Sequence, residues 1–163
     1  MSRALIGLLL LASSALVGCA SERWQYATVR GVNRQLVWQA SLDVMYEKGR
    51  FPGIDIADVD GGSAMTKWRE ELGVFHNKGE RRRAHLTLEE AGSDAYIVGM
   101  RIEREINSAW RNTLESEGAE WDSGDDDPEE AQTLLFHLQV LLQATRGTES
   151  EDFKRRYERR ALR

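Results

Sequence analysis

The only thiol in the chain is Cys19. It closes the stretch Leu16-Val17-Gly18-Cys19, at the end of an apolar run from Ala4 to Val17 that Arg3 precedes. One basic residue, an apolar run and small residues ahead of a cut describe a secretory signal segment. The run is shorter than the about 20 apolar residues that a comfortable membrane-spanning helix requires. The alternative is an uncleaved anchor in which Cys19 is an ordinary small hydrophobe. Other residues with chemical potential are spread thinly. His76, His85 and His137 form no H-E-x-x-H pair, so a zinc site would need distant carboxylates. His85 falls on the outer face of an expected strand. Asp122-Ser123-Gly124-Asp125-Asp126-Asp127 is rich in oxygen ligands, but its glycine is third and Pro128 follows directly. A calcium loop of the EF-hand kind needs glycine at its sixth position and glutamate at its twelfth. An acidic loop that caps the following helix fits this run better. No G-x-S-x-G, G-x-G-x-x-G or Walker pattern occurs. No catalytic residue, cofactor or metal site is expected.

Leu16-Val17-Gly18-Cys19 resembles the lipobox of bacterial lipoproteins. That resemblance implies lipidation of Cys19 on sulfur and cleavage between Gly18 and Cys19. It also implies an extracytoplasmic domain tethered to a membrane. More than one acyl chain is needed for a firm hold, and lipoproteins of this kind carry a diacylglycerol. Ala20 follows the cysteine where an aspartate would favour inner-membrane retention, so the expected location is the periplasmic face of the outer membrane.

Removing residues 1–18 from the 163 leaves 145, enough for one domain with a real core. Those residues carry Arg3 and no acid, so the formal net charge moves from −5 to −6. An acidic chain of this kind is not a general nucleic-acid binder. With its single cysteine lipidated, the domain has no disulfide and depends on packing.

The elements that must position these residues follow from periodicity. Trp24 to Val29 is aromatic and β-branched and predicts a strand. Asn33 is a helix N-cap, and Val37, Trp38, Ser41, Leu42 and Met45 lie on one helical face up to Lys48. Gly49 fits the left-handed position after that helix. A hairpin is expected from Phe51 to Trp68 about Asp60-Gly61-Gly62, with Ile54 and Ile56 on one face. Glu70 to Glu80 reads as a polar loop. A clearer hairpin pairs Ala84, Leu86 and Leu88 with Tyr96, Val98, Met100 and Ile102 about Gly92. An acidic linker covers 108–127. Asp127-Pro128-Glu129-Glu130 then opens a helix with Ala131, Leu134, Leu135, Leu138, Leu141 and Leu142 in one stripe. A last basic helix is expected from about Ser150. The fold class is α+β: an antiparallel sheet of about four to five strands packed by a helix, with C-terminal helices. Residues 19–107 form the α+β domain and 128–163 the helical segment.

Val37-Trp38, Ser41-Leu42, Met45 and Gly49-Arg50-Phe51, then Asp58, Gly61 and Ala64, then Arg82-Arg83 and Leu86, resemble the small α+β domains of bacterial envelope lipoproteins of the BamC type. The resemblance covers about Trp24 to Asn107 and rests on packing and turn residues. It departs at Pro52-Gly53 and at Met65. It implies a non-enzymatic binding or assembly role. Two basic stretches are candidate contact surfaces: Arg81, Arg82 and Arg83, and the C-terminal Lys154, Arg155, Arg156, Arg159 and Arg160. They suit anionic headgroups or an acidic partner. A solvated helix face, or salt bridges to the acidic loop, are the other uses for such residues. The expected function is therefore a structural or assembly lipoprotein of the cell envelope, with the membrane held through the lipid and an envelope protein as partner. The alternative is a ligand- or glycan-binding lipoprotein that uses Trp24, Trp110 or Trp121 as stacking platforms. Cys19→Ala is expected to leave the chain uncleaved and unlabelled when cells are fed a radioactive fatty acid; label retained on the variant contradicts the lipobox.

Overall fold

The computed structural model describes residues 22–72, 79–108 and 119–147. The elements run β1 (Gln25–Arg30), α1 (Arg34–Glu47), β2 (Ile54–Asp58), β3 (Ser63–Thr66), β4 (Arg69–Glu71), β5 (Glu80–Gly92), β6 (Ala95–Asn107), β7 (Trp121–Ser123) and α2 (Pro128–Gly147). The fold is α+β: among the described residues, seven antiparallel strands form one sheet and two helices pack together on it. The main path is β1-β6-β5-β3-β2. β4 joins β5 beside β3, and β7 joins β6 beside β1.

The β5–β6 hairpin is the spine. Its strands pair from Glu80↔Ile106 to Gly92↔Ala95. Alternation places Ala84, Leu86, Leu88, Val98, Met100 and Ile102 on one face, and all six are buried. Both helices lie on that side. α1 buries Val37, Trp38, Ala40, Ser41, Val44 and Met45, and α2 buries Ala131, Leu134, Leu135, Leu138 and Leu142. The leucine stripe of α2 is thus core, and α2 packs on β6, β1 and α1.

The caps follow their chemistry. Asn33 Oδ1 accepts from Leu36 N–H at 2.7 Å, and Asp127 Oδ1 accepts from Glu130 N–H at 2.9 Å. Each satisfies an N–H that has no partner inside its helix. Gly49, expected in the left-handed region, is not there. Arg50 takes the positive φ, at 54°. Gly49 is required for space instead, because a Cβ would lie 2.6 Å from the Phe51 ring and 2.7 Å from the Met45 carbonyl oxygen.

Three further expectations change. Ile54 and Ile56 do not share a face: a register shift between them turns Ile56 out to 59 % exposure, while Ile54 packs against the core. The expected polar loop begins as β4, and its last residue, Glu80, opens β5. The acidic linker contains β7, so the sheet has seven strands rather than four or five. These additions are three-residue strands, too short for a period to show. The expected basic helix, Cys19, His76 and Trp110 lie outside the described residues.

Trp38 is 6 % exposed and packs in this core. Trp38→Ala should cost roughly 3–5 kcal/mol in urea unfolding. A loss under about 1 kcal/mol would contradict its role as a core anchor.

Candidate interaction surface

The face of the β5–β6 hairpin away from the helices follows from the same alternation. Arg81, Arg83, His85 and Thr87 project from β5, opposite Glu105, Glu103, Arg101 and Gly99 of β6. Opposite charges thus face each other across the ladder, the favourable arrangement on a sheet. Arg81 Nε donates to Glu105 Oε2 at 2.6 Å, and Arg83 Nε donates to Glu103 Oε2 at 2.6 Å.

The same guanidinium groups hold aromatic rings. Arg81 lies 4.5 Å from the Trp68 centroid and 4.7 Å from that of Trp121. Arg83 lies 4.4 Å from Trp68. Cation–π attraction at these distances fixes both partners while their remaining surfaces stay half-exposed. Just before β1, Trp24 stacks on Tyr26 at 6.4 Å and meets the His85 ring edge-on at 6.3 Å. Gly99 makes room for Tyr26, since a Cβ there would come within 2.9 Å of the tyrosine ring. A continuous row results: Tyr26, Trp24, His85, Glu103, Arg83, Trp68, Arg81, Trp121.

Arg82, between two outward arginines, points to the helix side. Its Nη1 donates to Glu130 Oε2 at 3.0 Å and lies 3.4 Å from Asp127. Arg69 binds both oxygens of the same Glu130, at 2.8 and 3.2 Å. The guanidinium groups therefore hold the first turn of α2 against β4 and β5, where they reinforce the preference of a helix N-terminus for acids. The sequence triplet thus divides, two members outward and one beneath α2. Trp24 and Trp121 are half-buried members of the outward row. Lys154, Arg155, Arg156, Arg159 and Arg160 lie outside the described residues.

The acidic run has defined tasks. Asp126 is buried and receives Arg101 Nε at 2.7 Å and Nη2 at 3.2 Å. It also accepts the Arg23 backbone N–H at 2.7 Å. Among the described residues no group of three His, Cys, Asp or Glu side chains is arranged to hold a metal.

Sequence reasoning missed Tyr26, Trp68, Glu103 and Glu105. The signal was present in the alternation: if Ala84 and Leu86 face inward, Arg81, Arg83 and His85 face outward, and Glu103 and Glu105 fall opposite them.

Glu103 is the electrostatic hinge of the row. Burial would raise its pKa, but hydrogen bonds from Arg83 and from His85 Nε2 (2.7 Å), with their charges, hold it below the ordinary value of 4.5. Its ionisation therefore adds stability that is complete above the ordinary carboxylate range and is lost as pH falls through the folded-state pKa. Glu103→Gln should be less stable than the native chain near neutral pH. The gap should narrow below about pH 4.5 in urea melts taken across the acid range. A gap that stays constant with pH would rule out this linkage.

The chain matches no protein-family model, and no curated protein matches it in sequence.

Proposed function

We propose that this chain is a membrane-tethered lipoprotein facing the periplasm, and that it acts without catalysis through protein contacts in the cell envelope. The observation that carries this reading is the outer face of the sheet, on which neither described helix packs. A bare face of an antiparallel sheet is ordinarily polar. This one carries Trp68 and Trp121 interleaved with Arg81 and Arg83, and Trp24 and Tyr26 beside His85. Tryptophan, tyrosine and arginine are the residues that dominate binding energy in protein interfaces. Here the rings and guanidinium groups fix one another, so little side-chain freedom is left to lose on association.

The His85–Glu103 contact is the feature closest to an enzyme's acid–base pair. Glu103 is already shared with Arg83, and among the described residues Glu103 is the only hydrogen-bond partner of His85. That arrangement suits a positioned, ring-packed imidazole. The glycan-binding alternative uses Trp24, Trp110 or Trp121; of these, Trp121 has Arg81 over its ring, on surface that a sugar would need.

A photo-crosslinking amino acid in place of Trp121, in the full chain in its native cells, is expected to give a discrete protein adduct. The same group in place of Gln132, exposed on α2, is expected to give none. Equal adducts from both positions, or none from Trp121, would overturn the assignment of this face.

A further inference from the structure

The described part of the domain is held down from its first residues. Arg23 N–H donates to buried Asp126, and Glu22 lies 2.9 Å from Arg101 Nη1. Only Ala20 and Ser21 separate this pinned pair from Cys19. Three residue steps reach at most about 10 Å when extended. A lipid on Cys19 therefore fixes which surface of the domain lies next to the bilayer, and that surface is the start of β1.

Strand alternation gives this surface a defined composition. Tyr26, Thr28 and Arg30 share the outer face of β1, and Trp24, the residue before the strand, stacks on Tyr26. Tyr26 is 62 % exposed, and Arg30 is exposed with no ion-pair partner among the described residues. Trp24 adds an indole N–H that reaches only Glu22, at 3.2 Å on the surface. Stacked aromatic rings with polar tips, followed by a free cation, match the chemistry of the headgroup layer, where tryptophan and tyrosine concentrate. The other exposed apolar pairs are Ile56 with Val59 beside β2, and Phe136 with Val140 on α2. Neither is near the tether in the chain, and α2 lies on the opposite side of the sheet.

We propose that the strip of Trp24 and the β1 residues Tyr26, Thr28 and Arg30 is the membrane-contacting surface of the domain, seated in the headgroup layer of the bilayer that holds the Cys19 lipid. This rests on the lipoprotein reading above and deepens it by assigning an orientation. The β1 edge of the outer face meets lipid, and the Trp68–Trp121 end is the part left for a protein. The attraction is that of aromatic rings for the interface, helped by Arg30, on a domain whose net charge is otherwise negative.

The test uses the full chain expressed with its leader, purified from membranes and reconstituted into phosphatidylcholine vesicles with brominated acyl chains. Mass spectrometry of the same sample establishes whether Cys19 carries lipid. Brominated lipid is expected to quench part of the tryptophan emission, and Trp24→Phe should remove most of that quench while leaving the urea midpoint near that of the native chain. Tyr26→Ser, which keeps Trp24, should roughly halve the quench by weakening the seat. Lipid on Cys19 with a quench unchanged in Trp24→Phe, or with no quench at all, overturns the orientation and leaves the lipoprotein reading standing. That is also the result expected if the strip faces a protein instead. Absence of lipid on Cys19 overturns both.

Discussion

Everything in this domain depends on one long antiparallel ladder. β5 and β6 each span thirteen residues and pair from end to end. Because side chains alternate, fixing their register fixes two surfaces at once. A slip by one residue would move Ala84, Leu86 and Leu88 outward and drive Arg81, Arg83 and His85 under the helices. The core and the aromatic–cationic row are therefore two expressions of a single register. The short strands serve this ladder in pairs. β3 and β4 divide the free edge of β5, and β1 and β7 divide that of β6.

Charge is used differently on the two sides. Under α2, Arg69 and Arg82 converge on Glu130, with Asp127 and Glu80 close by. These groups occupy the end of the sheet where the apolar core runs out. On the outer side, Arg81 and Arg83 each satisfy a glutamate and a ring together. An arginine can do both because its edge donates hydrogen bonds while its plane stacks. A lysine, as a compact point charge, would have to choose. Counting arginines along the chain thus says little, since neighbours 81, 82 and 83 serve two surfaces and three kinds of contact.

Much of this was legible in the sequence. The period of two from Ala84 to Ile102 gave the spine and its inward residues, and Asn33 and Asp127 marked the helix starts at which they are found. The leucine stripe of α2 was equally plain. What was hidden depends on contacts between distant residues. The bulge that turns Ile56 outward leaves no trace in a five-residue strand. β4 and β7 have no periodicity to detect. Gly49 looked like a conformational glycine, whereas the need is for space beside Phe51. The outward row was half visible, because Trp24 and the arginines stood out individually. Their partners did not, since pairing Arg83 with Glu103 requires the register that only the folded hairpin supplies.

The clasp between Arg23 and Asp126 joins positions 103 residues apart. Such a contact cannot form while the chain emerges from its N-terminus, so β1 has no finished seat until β6, β7 and the start of α2 are in place. Closing so large a loop is entropically slow. The hairpin needs only local contacts, whereas the seat of the first strand is made from residues at the other end of the domain. A chain shortened before Asp126 would keep its central hairpin residues but lose the fastening of its own beginning.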